Sequence, residues 1–159
     1  MVALPQSTLA FAAGLLLMVC TVTPLIGRAG PASSLLDRVN EVRAAERLIP
    51  LVPSEALADV AQRHAEDMAH HHYMDHIDRA GGSPLDRVNA AGIDGFALLA
   101  ENLGVTSERG DRLATLIEAW LASPSHRENL LNPAFNTTGI AIVRTDEGNT
   151  LAVQLFATF

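Results

Sequence analysis

The sequence contains no lysine, so all 11 of its basic side chains are arginines. P-loop nucleotide sites, Schiff-base nucleophiles and pyridoxal phosphate anchors each need a lysine amine, so the sequence excludes these three classes. Positive charge is also in the minority, because 18 acidic residues leave a net charge of −7. Nucleic-acid-binding proteins neutralise phosphates with a basic surface, so we expect no nucleic-acid partner.

Cysteine is almost absent, and the single one, Cys20, lies in the apolar N-terminal stretch. Outside this stretch the chain therefore cannot form a disulfide framework, a cysteine-based zinc site or a thiol nucleophile. Any chemistry there must use His, Asp, Glu, Ser or Thr side chains. A chain of 159 residues is long enough for one domain with a core and too short for two.

The N-terminal stretch has the composition of an export segment. Residues 9–26 carry no charge, and the apolar run 11–22 is typical of a signal peptide or a short membrane anchor. We predict that residues 1–32 form this segment and residues 33–159 the domain, with a lipoprotein modified at Cys20 as a third alternative. We therefore expect a secreted or cell-envelope-associated protein that meets a membrane only through this segment.

Helical periodicity dominates the chain up to about residue 131, and hydrogen-bonding residues mark the helix starts. Ser33 and Ser34 are predicted to cap a first helix that ends near Leu48. Ser54 is predicted to cap a second helix that ends near His71. Three further helices are predicted to begin at Ser83, at Asp111 and at Ser123.

The end of the chain has strand character instead. Residues 138–143 and 151–159 are rich in β-branched and apolar side chains, and a turn at 146–149 separates them. This pattern predicts an antiparallel hairpin. Helices followed by a closing hairpin predict an α+β domain or a layered α-β-α domain.

Three polar stretches, at residues 70–76, 100–104 and 123–129, carry the candidate chemistry. We place His76, Glu101 and His126 at turns beside helix ends. Neutral imidazole is a common metal ligand, and two imidazoles with a carboxylate suit a divalent ion such as zinc. Intervals of 25 residues separate the three positions, so only the fold could bring them together. By contrast, the run 70–72 is predicted to end a helix, where imidazole complements the helix dipole.

The motifs around these residues resemble a known family. Met74-Asp75-His76, the run from Asp78 to Arg87, Ala100-Glu101-Asn102-Leu103 and the run from Trp120 to Arg127 closely resemble the bacterial secreted branch of the CAP superfamily, also called the SCP or PR-1-like domain. The resemblance extends from Leu35 to Phe159. It implies a three-layer α-β-α sandwich with an open cleft, in which two histidines and two acids can hold a divalent metal, usually zinc.

Carried over motif by motif, the resemblance makes His76, His126 and Glu101 the candidate metal ligands. Asn102 and Ser123 complete the predicted cleft. The second acid of the family pattern falls at Ser123, so the chain offers at most three ligands. We therefore expect zinc or another divalent cation to bind weakly.

Two functions follow from the resemblance. The first is a monomeric binding or interaction module for a small apolar or lipid-like ligand, an extracellular protein partner or a weakly held divalent cation. The alternative is a zinc-dependent hydrolase in which His76 and His126 hold the metal and Glu101 is the general base or third ligand. If Glu101 is a ligand, no acid remains as the base, and this count favours the binding module.

Overall fold

The computed structural model of the chain describes residues 30–159. Most of the predicted export segment, residues 1–29, lies outside the described residues, so its cleavage or anchoring stays a prediction. From residue 30 onward, no helix is both long enough and apolar enough to cross a membrane. The elements are α1 (Pro31–Ala45), β1 (Val52–Pro53), α2 (Glu55–His71), α3 (Pro84–Ala90), β2 (Leu98–Thr106), α4 (Arg112–Ala122), α5 (Pro124–Leu131), β3 (Thr137–Arg144) and β4 (Thr150–Thr158).

The strands form one mixed sheet in the order β1-β3-β4-β2. β3 and β4 pair antiparallel, which confirms the predicted hairpin. β2 pairs antiparallel with the other side of β4, and β1 pairs parallel with β3. The sequence did not predict β2. The placement of Glu101 on a turn was wrong, because Glu101 lies in β2 opposite Leu155 of β4.

Alternation along β4 explains the layers, because successive side chains of a strand point to opposite faces. Val153 and Leu155 pack with residues of α2 and α3 in one buried cluster. Ala152 and Phe156 pack with residues of α1, α4 and α5 in a second cluster on the opposite face. Both faces of the sheet are covered by helices, which confirms the α+β three-layer sandwich.

The predicted helix caps are confirmed at α2 and α3 and wrong at α1. Ser54 accepts a hydrogen bond from the backbone of α2, and Ser83 forms a reciprocal capping box with Asp86 at the start of α3. α1 begins earlier than predicted, at Pro31, and the hydroxyl of Ser33 donates to the carbonyl of Gly30 at 2.8 Å instead of capping the helix. Proline is favoured at the first helical position, which explains the earlier start. α1 also ends at Ala45 rather than near Leu48.

A buried arginine ties α1 to the segment that follows α5. The fully buried guanidinium of Arg43 donates to the carbonyl oxygens of Ile49, Leu130, Asn132 and Phe135 at 2.8 to 3.1 Å. Burial lowers the pKa of Arg43 from its usual value. Its partners are all carbonyl oxygens, which satisfy the donors of a buried charge. The sequence did not single out Arg43.

Candidate functional site

His76 lies in the loop between α2 and α3. α2 ends at His71, and His72 adopts a left-handed conformation with φ of 55°, so the helix ends before His76 as predicted. The ring Nε2 of His64, in α2, donates to the carbonyl of Asp75 at 2.9 Å and holds the loop against the helix. The side chain of His76 is 48% exposed, so it is accessible to a ligand.

Glu101 is the buried centre of the site. Its side chain is 1% exposed and projects from β2 between two positive partners. Oε1 lies 2.8 Å from Nδ1 of His76, and Oε2 accepts a hydrogen bond of 2.8 Å from Nη2 of Arg87. Burying a carboxylate is costly unless it is paired, and here both oxygens have a partner.

Arg87 is the site residue that the sequence analysis missed. It lies in α3, and its Nη1 donates to the carbonyls of His76 and Gly82 at 2.9 and 3.0 Å. The guanidinium therefore anchors both ends of the loop segment 76–82 while it pairs with Glu101. The sequence did contain a signal for Arg87. It lies one turn after the helix start at Ser83-Pro84, inside the run from Asp78 to Arg87 that carries the family resemblance.

His126, in α5, lies within electrostatic reach of His76. Burial lowers the pKa of His126, and the positive charge of His76 lowers it further. The hydrogen bond to Glu101 raises the pKa of His76 above its usual value of 6.5. At neutral pH the site therefore pairs a neutral imidazole at His126 with one that is more readily protonated at His76.

Asn102 and Asn129 join β2 to α5 next to His126. The side-chain amide of Asn102 donates to the backbone carbonyl of His126 at 3.0 Å. Nδ2 of Asn129 in turn donates to Oδ1 of Asn102 at 2.9 Å. Asn102 is fully buried and holds the backbone that carries His126. Its role in the structure is thus to position α5, and its side chain is not open to a ligand.

Ser123 lies between α4 and α5 and does not cap α5 through its side chain as predicted. Its hydroxyl is 3.5 Å from that of Ser125. The next residue, Pro124, occupies the first helical position. The structure thus pairs His76 with Glu101, places His126 within electrostatic reach of His76 and gives Ser123 no hydrogen bond to any of the three.

The donor set offers a divalent metal at most two imidazoles, those of His76 and His126. Within residues 30–159, no three His, Cys, Asp or Glu side chains are arranged to hold a metal ion. Glu101 is engaged by His76 and by the positive charge of Arg87, so it is not free to coordinate. The contact between Glu101 and Nδ1 of His76 leaves Nε2 of His76 open. A carboxylate in this position is a common orienting partner of a metal-binding histidine.

Comparison with known proteins identifies the family of the domain. The family model for CAP, described as the cysteine-rich secretory protein family, matches residues 36–156. The protein YkwD of Bacillus subtilis strain 168 is 30% identical over 110 residues, which are 69% of this chain and 41% of YkwD. The chain thus spans less than half the length of this relative.

Two solved structures share the fold. An outer surface protein from Borrelia burgdorferi is 28% identical with a TM-score of 0.70, over 79% of this chain and 90% of that protein. An extracellular protein containing an SCP domain from Bacillus anthracis strain Ames is 26% identical with a TM-score of 0.71, over 84% of this chain and 45% of that one. Because the family model covers nearly the whole described domain and these structures share its fold, the chain belongs to the CAP family of cysteine-rich secretory proteins.

Proposed function

We propose that this CAP-domain chain is a binding module that works outside the cell, and that His76 and His126 form its binding surface. One observation carries the proposal: Glu101 is buried with both carboxylate oxygens engaged, while the side chain of His76 is 48% exposed. The extracellular and outer-surface relatives support this location. The apolar run at residues 11–22 supports export as well.

The state of Glu101 favours binding over hydrolysis. A general base must have a free lone pair within reach of the proton that it removes. Arg87 and His76 engage both oxygens of Glu101, and its side chain is 1% exposed, so this carboxylate has no free oxygen to present to a substrate. Catalytic zinc sites also have three protein ligands, and this site provides two imidazoles.

A divalent cation is a weak occupant of the proposed surface. His76 and His126 would hold it, with Glu101 orienting the ring of His76. When bound, the cation would supply coordination positions for an oxygen of the partner molecule. Protons compete with metal for imidazole, so the affinity falls as the pH drops through the raised pKa of His76.

A polar partner suits this surface better than a lipid-like ligand. His76, Arg87 and Glu101 make it charged, and His76 lies open to solvent. An apolar cavity of about 190 Å³ lies elsewhere, between α1 and the start of α2, where Leu36 and Ala58 contribute to its wall. A lipid-like ligand would therefore be bound away from the histidine pair, and we propose an extracellular protein as the partner of the pair.

Zinc titration by calorimetry tests the proposed surface. We expect weak binding to the unmodified protein and a loss of about tenfold or more in affinity for His76→Ala and for His126→Ala. His70→Ala is the matched control, because it removes an exposed histidine from the end of α2. Binding unaffected by the first two variants and lost in the control would overturn the proposal.

A second measurement separates binding from hydrolysis. Ester and peptide substrates are incubated with the protein with and without added zinc. We expect the unmodified protein to turn over these substrates no faster than the Glu101→Gln variant does. Zinc-dependent turnover that disappears in Glu101→Gln would instead establish the hydrolase.

A further inference from the structure

The loop segment that carries His76 has few attachments to the rest of the domain. Residues 74–77 are all exposed. In the part of the chain that the structure describes, two hydrogen bonds tie their backbone to other elements. The carbonyl of Asp75 accepts from Nε2 of His64, and the carbonyl of His76 accepts from Nη1 of Arg87, both at 2.9 Å. A segment with so few attachments has a low local stability, so the loss of either bond should loosen it.

The two attachments differ in their response to pH. Arginine cannot lose its proton in a folded protein, whereas imidazole gains and loses a proton near neutral pH. The hydrogen bond from His64 to Asp75, which we call the His64 anchor, is therefore the attachment that a change of pH can break.

The His64 anchor is built around a neutral ring. His64 is 2% exposed, and the ring of Tyr73 lies edge-on against it with the centroids 6.3 Å apart. A carbonyl oxygen only accepts, so Nε2 of His64 carries the proton and the neutral ring leaves Nδ1 bare. Nδ1 is itself buried and has no hydrogen-bond partner within residues 30–159. The burial that keeps ligands away from this atom also denies it an acceptor.

Protonation of His64 would add a second N–H group at this buried atom. The charged ring would then hold a positive charge away from water and a donor without an acceptor, and both cost free energy. The ring can meet these needs by moving out to water. Because that movement breaks the bond to Asp75, protonation favours a released loop.

Several charged and titratable groups surround the ring. They are Arg63 and Asp67 on α2, Tyr73, Asp78 and Arg79 in the loop, Arg87 on α3 and Glu101 on β2. Burial lowers the pKa of His64 below its usual value of 6.5, and the positive charge of Arg87 lowers it further. The charges of Glu101 and Asp78 oppose this shift without cancelling it. The surroundings of His64 thus favour the neutral ring.

We propose that His64 is the positioning residue of the loop that carries His76 and makes this loop sensitive to acid. The neutral ring holds residues 74–77 in place, and its protonation releases them. Release displaces the backbone that carries His76, so acid would weaken the binding surface. As a control of binding, the His64 anchor rests on the function proposed above, whereas its effect on the loop does not.

The pH range follows from the lowered pKa of His64. The released ring titrates near 6.5 and the buried ring below that value, so the anchor is fully formed above about pH 6.5. It is lost as the pH falls through the pKa of the buried ring. The ratio of closed to released loop should fall by up to about tenfold for each pH unit in this range.

Two neighbouring groups do not explain a release between pH 6.5 and pH 5. The hydrogen bond to Glu101 raises the pKa of His76, so His76 gains its charge at higher pH, and this charge strengthens its hold on Glu101. Hydrogen bonds from the backbone, first from Gly82, lower the pKa of Asp78 below its usual value of 3.8. Asp78 therefore stays ionised down to pH 5.

NMR spectroscopy of the unmodified protein, without metal or partner, tests the proposal between pH 7.5 and pH 5. The ¹⁵N relaxation of the amides of residues 74–77 measures the mobility of the loop, and the ¹³C shift of the Asp75 carbonyl reports the His64 anchor. We expect both to change below pH 6.5 together with the ring resonances of His64. A loop equally mobile at pH 7 and pH 5, or an Asp75 shift that does not follow His64, would overturn the proposal.

Three variants separate titration from packing. His64→Gln keeps an N–H donor for Asp75 and cannot titrate, so the loop should stay closed at pH 5. His64→Leu has no donor, so the loop should be mobile at both pH values. His71→Gln is the matched control, because it removes another histidine of α2, which contacts Asp67, and it should leave the release in acid unchanged. A release at pH 5 that persists in His64→Gln would refute the role of His64.

This readout keeps the loop separate from the binding surface. Absence of zinc or partner binding would disprove the proposed function and leave the NMR result intact. Conversely, a loop that is insensitive to acid would overturn the role of His64 and leave the binding surface in place.

Discussion

Glu101 shows how one buried charge organises the site at the scale of single residues. Removing a carboxylate from water is expensive, and the cost is offset here by two hydrogen bonds, to His76 and to Arg87. Arg87 is largely buried beside it, with 12% of its side chain exposed. Arg87 and His76 thus share Glu101 as their carboxylate partner.

Glu101→Gln should lower the pKa of His76, because the amide cannot stabilise the imidazolium as the carboxylate does. NMR titration of the His76 ring in both proteins measures the change. Glu118→Gln is the matched control, since Glu118 is exposed on α4. An unchanged pKa of His76 in Glu101→Gln would contradict the assigned cause.

The same pair makes stability depend on pH. The pKa of His76 in the folded state lies above its usual value of 6.5, so the stabilisation is complete below about pH 6.5 and is lost as the pH rises through the folded-state pKa. Urea unfolding of the unmodified protein and of His76→Gln should therefore differ more at pH 6 than at pH 9. A difference that is the same at both pH values would exclude this linkage.

At the scale of elements, a close approach of α2 to β3 sets the position of the helix. A Cβ atom added at Gly139 would overlap the backbone carbonyl carbon of Leu57 and the amide nitrogen of Ala58. Because backbone atoms cannot rotate away, only glycine lets the helix lie this close to the strand. α2 also carries His64, whose bond to Asp75 holds the loop before His76.

Gly139→Ala should therefore destabilise the domain by about 2 to 3 kcal/mol, the usual cost of forcing extra volume into a packed region. Chemical denaturation measures the free energy of unfolding. Gly110→Ala is the control, because a Cβ atom there would meet nothing within 4 Å. Equal stability of the two variants would mean that α2 can move away from the sheet without cost.

At the scale of the whole molecule, two apolar clusters on opposite faces of the sheet hold the domain together. One joins α2 and α3 to the sheet, and the other joins α1, α4 and α5 to it. Trp120 belongs to the second cluster and is 1% exposed, and its ring N–H donates to the carbonyl of Leu103 at 2.8 Å. With two such clusters, we expect the domain to fold without a metal ion.

Thermal unfolding with and without a chelator tests this expectation, and the melting temperature should be the same in both. Trp120→Ala should cost about 3 to 5 kcal/mol, because it empties a core site. His76→Ala should cost about 1 kcal/mol, because its side chain is half exposed. Loss of cooperative unfolding in the chelator would show that a metal is structural.

The elements that the sequence predicted correctly are those held by local interactions. The caps at Ser54 and Ser83 and the hairpin of β3 and β4 depend on residues close together in the chain. The family motifs were also recognisable in the sequence, because they consist of residue identities in a fixed order. For the same reason, the absence of lysine and the isolation of Cys20 excluded several chemistries without a structure.

Only the tertiary structure decided where the polar residues of the site meet. Glu101 resembles a turn residue in the sequence, and it lies in a strand because β2 pairs with β4, which comes far later in the chain. The pairing of Arg87 with Glu101 is seen only in the folded chain, where α3 packs beside β2. Hydrogen bonds between strands and between buried side chains join distant residues, so no local pattern records them.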